Sequence, residues 1–217
     1  MITNPPMIDW YFDFISPFAY LQWRRLRRLP EMPALNPRPL LFAAVLKRCG
    51  QLGPAEIPGK REFTYRFVLW RARQLGIPLR FPPAHPFNPL PALRLCLAAK
   101  DRHAAVDAIF AHIWEQGLPA DTPEALAPLA ATLGIDDIDA ALADPTVKQA
   151  LLDNGAAAET LKLFGVPTMA VGERLFWGED ATDMALAYAA DPQAFDDDEM
   201  QRVASLPIGV RREGSRA

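Results

Sequence analysis

The chain has 217 residues, of which 50% are apolar and 23% charged. That suits one compact domain, or a domain with one insertion, and excludes fibrous and mini-protein classes. Twenty-three Lys plus Arg against 26 Asp plus Glu leave a net charge of −3, with no cationic field to attract nucleic acid or an anionic membrane surface.

From Met7 to Phe14 the residues alternate, with Ile8, Trp10, Phe12 and Phe14 on one side and Asp9, Tyr11 and Asp13 on the other, which predicts a strand. Ser16-Pro17 then pairs a helix-capping residue with proline at the first helical position, and Ala19, Trp23 and Leu26 continue at helical spacing. Residues 34–42 read as a second strand. Pro37 and Pro39 each remove a ladder donor on the same side, as an edge strand tolerates. Strand, helix and strand make a right-handed parallel unit.

From Ala43 to about Leu163 the pattern is helical, with segments at Thr64–Leu75, Pro91–Lys100, Ala104–Gln116, Pro123–Leu133 and Val147–Leu163. Strand signals return at Thr168–Val171 and Leu175–Trp177 around a short loop, Gly172-Glu173-Arg174. A helix over Asp180–Ala190 follows, and Asp196-Asp197-Asp198 reads as the solvated start of one or two further turns. This order, βαβ then helices then ββα, predicts an α/β thioredoxin-like fold interrupted by an all-helical insertion. The expected limits are 1–43 and 164–217 for the thioredoxin-like part and 44–163 for the insertion.

Several chemistries fail on inspection. The longest apolar runs, such as Leu40 to Leu46, reach seven residues against the roughly 20 of a membrane-spanning helix. No Lys or Arg precedes Arg24, and Asp9 and Asp13 break the early apolar stretch, so no secretory signal is expected and a cytoplasmic location is. Gly53 to Lys60 resembles a phosphate loop but has five residues between its glycines, and Arg61 stands where a magnesium-binding hydroxyl belongs. His85, His103 and His112 show no metal spacing, and Cys49 and Cys96 form no C-x-x-C. Arg24, Arg25, Arg27 and Arg28 read as a solvated helix face.

Ser16 carries the sharpest signal. It can simply cap its helix. In a thioredoxin-like layout, however, that position is the active site, where helix amides favour an anion. Oxidoreductases place a cysteine thiolate there, whereas Ser16-Pro17-Phe18-Ala19 cannot exchange disulfides; a serine hydroxyl can donate to the thiolate of a small external thiol.

Three segments, Asp13-Phe14-Ile15-Ser16-Pro17-Phe18-Ala19-Tyr20-Leu21, Gly165-Val166-Pro167-Thr168 and Leu175-Phe176-Trp177-Gly178-Glu179-Asp180, together resemble 2-hydroxychromene-2-carboxylate isomerases. These are relatives of kappa-class glutathione transferases in the DsbA-like group. The resemblance extends over about 210 residues, including Leu75-Gly76-Ile77-Pro78-Leu79 and Pro86-Phe87-Asn88. It implies a cytosolic homodimer that uses glutathione, with a cis Val166–Pro167 bond and Val166 pairing with the tripeptide backbone. Ser16 would hold the sulfur, with Phe18, Gln51, Lys60 and Asp180 around the tripeptide and Asn88 and Trp177 lining the substrate pocket.

The reaction implied is interconversion of 2-hydroxychromene-2-carboxylate and trans-o-hydroxybenzylidenepyruvate by reversible thiolate addition. Five of these residues have a plainer alternative: a helix cap for Asp180 or Asn88, a surface cation for Lys60, core packing for Phe18 and Trp177. Gln51 stands where the family commonly has asparagine, and Ala181 where arginine is frequent. A kappa-like transferase and a non-catalytic thioredoxin-like binding module are the competing functions.

Overall fold

The computed structural model describes residues 6–210. Four strands, β1 (Ile8–Phe12), β2 (Leu35–Pro39), β3 (Thr168–Val171) and β4 (Arg174–Trp177), form one sheet in the order β2-β1-β3-β4. β1 runs parallel to β2 and antiparallel to β3, and β3 runs antiparallel to β4. Helix α1 (Pro17–Leu26) joins β1 to β2. Between β2 and β3 lie α2 (Phe42–Arg48), α3 (Pro58–Gln74), α4 (Leu90–Ala98), α5 (Arg102–Phe110), α6 (Pro123–Thr132), α7 (Ile138–Ala143) and α8 (Pro145–Thr160). After β4 come α9 (Thr182–Ala190) and α10 (Asp198–Ala204). This is the thioredoxin-like arrangement with a helical insertion.

The prolines of β2 sit as expected on the outer edge. Ile8 N–H donates to Ala34 O at 2.8 Å and Leu40 N–H to Phe12 O at 2.9 Å. The even-numbered groups of β2 therefore face β1, and the missing donors of Pro37 and Pro39 face away from the ladder.

β1 is shorter than the alternation predicts. It ends at Phe12 because the Asp13 carboxylate captures two backbone amides, Ile15 N at 3.1 Å and Phe42 N at 2.8 Å, and turns the chain out of the sheet. It is also buried on both faces. Trp10, Phe12 and Phe14 enter the main core, whereas Tyr11 enters a second cluster with Leu40, Val45, Ala158, Leu163, Val166 and Ala170.

The main core joins the insertion to the sheet. Phe110 of α5 lies 6.2 Å from Trp10, 5.7 Å from Phe12, 4.8 Å from Phe14 and 6.0 Å from Tyr20, centroid to centroid. Such aromatic pairs each add about 0.5–1.5 kcal/mol beyond the area they bury.

Arg24 and Arg25 of α1 correct the expectation of a solvated face, whereas Arg27 and Arg28 just beyond it are exposed. Arg24 pairs with Asp107 and Glu115, both at 2.8 Å, and Arg25 with Glu179 at 2.7 Å and Asp183 at 2.9 Å. Arg28 donates to the carbonyls of Leu75 at 2.7 Å and Gly76 at 2.9 Å. Their partners lie far away in sequence, which the local pattern cannot register. Arg27 is 50% exposed.

Candidate active site

Because β1 and β2 are parallel and β1 and β3 antiparallel, Phe12, Pro39, Thr168 and Trp177 all lie at one end of the sheet. The segments leaving that end carry Ser16, Val166-Pro167 and Gly178-Glu179-Asp180. The sequence separates them by about 150 residues; the sheet register brings them together.

Ser16 caps α1. Its backbone is extended, with φ −90° and ψ 112°, and its Oγ accepts the Ala19 N–H at 3.2 Å. Ser16 is 7% exposed, and among the described residues nothing accepts its hydroxyl proton. Pro17 has no N–H, and Phe18 N–H has no partner among the described residues, so the first turn presents one hydroxyl proton and one open amide at the positive end of a ten-residue helix. The turn preceding it is held closely. Ser16 N–H donates to Asp13 O at 3.0 Å, and the Trp114 indole donates to Phe14 O at 2.9 Å. Burial raises the Asp13 carboxyl to about 7, opposed by the backbone amides it accepts.

The Val166–Pro167 bond is cis. Thr168 Oγ1 donates to Gly165 O at 2.8 Å and Gly178 N–H to Pro167 O at 2.9 Å, which fixes the loop on both sides of the proline. Neither Val166 N–H nor Val166 C=O has a partner among the described residues. That open pair is what an extended peptide backbone needs in order to add as a strand.

Trp177 lies over this loop, 55% exposed and 5.4 Å from Phe164, so it is not a core residue. Gly165 is required beneath it, since a Cβ there would collide with the indole nitrogen.

Asp180 is exposed, and its carboxylate folds back over Gly178, whose φ is +103°. The sequence allowed Asp180 to cap α9. The structure corrects this: the cap residue is Ala181, with no side-chain hydrogen bond. The turn is anchored instead by its neighbour Glu179, 4% exposed and held by Arg25 at 2.7 Å and Arg71 at 2.9 Å. Gln22, fully buried, donates to Gly178 O at 3.0 Å and Thr182 Oγ1 at 2.9 Å while accepting from Trp10 Nε1 at 2.7 Å. Two guanidiniums, from α1 and α3, thus hold this turn through Glu179.

Phe18 lies 6.2 Å from Phe67 of α3, and Lys60, Phe63 and Phe67 share one face of that helix at spacings of three and four. Lys60 therefore sits on the side of α3 that meets the start of α1. Gln51 is exposed just beyond α2, whose Arg48 reaches the Leu163 carbonyl ahead of the cis-proline loop. Asn88 is not joined to this group. It is exposed, and its Oδ1 accepts the Leu90 N–H at 3.2 Å in a local turn; the cap residue of α4 is Pro89, with no side-chain hydrogen bond, so Asn88 is not its cap.

Sequence reasoning missed Asp13, Gln22, Glu179 and Arg71. Asp13 has a readable signal, a carboxylate at the end of a strand two residues before an amide it can accept. The other three have partners more than 100 residues away in at least one bond, and no local pattern marks them. Cys49 and Cys96 are both unpaired, and burial pushes the Cys96 thiol up to about 12, which keeps it protonated. Among the described residues no group of His, Cys, Asp and Glu could hold a metal ion, and no helix is long and apolar enough to cross a membrane.

The family model for the DSBA-like thioredoxin domain matches residues 7–190. A 2-hydroxychromene-2-carboxylate isomerase from Pseudomonas putida is 33% identical over 181 residues, covering 80% of this chain and 89% of that protein. Glutathione S-transferase kappa 2 from Caenorhabditis elegans is 23% identical over 213 residues, covering 88% and 95%. A solved structure of a 2-hydroxychromene-2-carboxylate isomerase superposes with a TM-score of 0.73 at 28% identity, covering 87% of this chain and 98% of that one. Matched by the domain model along most of its length and by these relatives, the chain belongs to the DSBA-like thioredoxin-domain family, within its 2-hydroxychromene-2-carboxylate isomerase group.

Proposed function

We propose that the chain is a glutathione-dependent isomerase interconverting 2-hydroxychromene-2-carboxylate and trans-o-hydroxybenzylidenepyruvate. The observation that carries this reading is Ser16 with an uncommitted hydroxyl proton and an adjoining open amide, at the same sheet end as a cis-proline loop with an unpaired Val166 backbone. Its relatives' names support the reaction, and the name of the nematode relative supports the tripeptide.

Bound glutathione supplies a thiolate that adds reversibly to the conjugated chromene acid, permits ring opening and bond rotation, and departs without net electron transfer. Ser16 Oγ–H donates to the sulfur, with the Phe18 amide and the start of α1 behind it. Lowering a thiol pKa by two units from about 8.5 takes about 2.7 kcal/mol. One hydrogen bond to a charged group, about 1.5–3 kcal/mol, plus a helix terminus, about 0.3–1 kcal/mol, covers that. Val166 N–H and C=O pair with the cysteinyl backbone; the Asp180 carboxylate faces the γ-glutamyl ammonium, and Lys60 the glycyl carboxylate, with Gln51 beside it. Phe18 and Trp177 form apolar walls for the aromatic ring.

The same proposal includes a cytoplasmic homodimer. The exposed aromatic row on α3, Phe63 at 67%, Phe67 at 37% and Trp70 at 52%, is apolar surface of the kind a second copy covers. Sedimentation tests it, a monomer at micromolar concentration counting against it.

Purified protein mixed with the chromene acid, with and without reduced glutathione, tests the reaction through the absorbance of the two isomers. A glutathione-dependent change is expected; its absence sinks the reading. The nematode relative favours one second reading, a transferase acting on other electrophiles, and conjugation of chlorodinitrobenzene without chromene turnover would select it.

A further inference from the structure

One bonded side chain near Ser16 that the proposed reaction does not use is His85, in the loop ahead of α4. Its Nε2 lies 2.9 Å from the carbonyl oxygen of Ile15, the residue immediately before Ser16. A carbonyl can only accept, so Nε2 carries the proton. In the neutral ring Nδ1 is then an acceptor, and the Tyr65 hydroxyl lies 2.6 Å from it. Arg61 donates to the His85 carbonyl at 2.9 Å and to the Tyr65 hydroxyl at 3.2 Å. Burial, with Arg61 nearby, lowers the His85 pKa against the opposing effect of the Ile15 bond, and so favours the neutral ring. The ring is enclosed by Tyr65 at 5.2 Å, Trp114 at 5.5 Å, Phe81 at 5.9 Å and Phe87 at 6.2 Å.

Two consecutive carbonyls of the turn are therefore held from the helical insertion, Phe14 by Trp114 and Ile15 by His85. The amides between and after them are held by Asp13. The peptide joining Ile15 to Ser16 is clamped on both sides, by His85 at its oxygen and by Asp13 O at its N–H. Releasing the oxygen side leaves a polar group without its partner and lets this peptide plane tilt, which moves the Ser16 hydroxyl relative to the helix axis.

We propose that His85 is a positioning residue for Ser16: held by Tyr65 and an aromatic cage, it fixes the Ile15 carbonyl and thereby presents the Ser16 hydroxyl to a thiolate in a single orientation. This rests on the reading of Ser16 as the thiolate's donor. It gives the insertion a second task, beside the tripeptide contacts proposed for Gln51 and Lys60.

The test compares wild type with His85→Leu, which loses the donor, and His85→Gln, whose amide nitrogen can reach the same carbonyl. The pKa of bound glutathione is read from ultraviolet thiolate absorbance across pH, and exchange of the Ser16 amide from proton resonance without the tripeptide. In His85→Leu the thiol pKa should rise by about one unit, a tenfold loss of thiolate below the pKa, and the Ser16 amide should exchange faster. His85→Gln should recover most of both changes.

A folded His85→Leu with the wild-type thiol pKa and wild-type exchange overturns the proposal, as does equal behaviour of the leucine and glutamine variants. Faster exchange in the leucine variant beside a wild-type complex whose thiol pKa is that of free glutathione overturns instead the assignment of Ser16 to the sulfur.

Discussion

Replacing Ser16 by alanine and by glycine separates the two tasks of its side chain. Alanine removes the 3.2 Å bond to Ala19 N–H, a loss of about 1 kcal/mol. For a chain of 217 residues that lowers Tm by about 2–4 °C. Glycine is itself a tolerable cap and costs only a few tenths of a kcal/mol. Both substitutions remove the hydroxyl donor to the thiolate, about 1.5–3 kcal/mol, so both should lower glutathione-dependent turnover at neutral pH by roughly tenfold to a hundredfold. The assays are calorimetric melting and chromene conversion at saturating glutathione. If Ser16→Gly melts like wild type and also turns over like wild type, the residue is a cap and nothing more, and the thiolate reading is wrong.

Three further outcomes follow from the same geometry. Burial raises Asp13 to about 7 from 3.8, so between about pH 4 and 7 the native state keeps a proton the unfolded chain has lost, and stability falls as pH rises. Asp13→Asn cannot titrate, so the stability advantage of wild type over it, read from urea midpoints, should shrink through that window by on the order of 4 kcal/mol; a constant difference contradicts the assignment. Glu179→Ala leaves Arg25 and Arg71 facing each other without their carboxylate. It should cost about 3 kcal/mol, the low end for broken buried pairs because the arginines are 20% and 28% exposed; a loss below about 1 kcal/mol refutes its anchoring role. Gly165→Ala pushes a methyl into the Trp177 indole and should destabilise by about 1–3 kcal/mol, a penalty largely relieved by Trp177→Ala in a double-mutant cycle; additive effects refute that contact.

What the sequence discloses follows the range of each interaction. β3 matches its predicted residues, and the Ser16 cap and the edge prolines of β2 are legible because alternation, capping and proline geometry act within a few residues. α2 escapes because it has seven residues and its cap residue, Leu41, offers no side-chain hydrogen bond, and α7 because it has six. The first turn of α3 reads as a loop because Pro58-Gly59 punctuates it, although proline is well placed at a helix start. At the site, Ser16 and Pro167 are visible through local chemistry, whereas the clamp on Ile15 and the arginines on Glu179 depend on pairings 70 and more residues apart. Arg24 and Arg25 depart from the expected solvated face for that reason, since their carboxylates come from α5, the turn after it and the segment around α9.

A structure of the protein with reduced glutathione tests the central claim most directly. The tripeptide should run antiparallel to Val166 as an added strand, its sulfur within hydrogen-bond reach of Ser16 Oγ and the Phe18 amide. Sulfur directed to solvent, with Ser16 bonded only to Ala19 and the Val166 backbone left open, would contradict it.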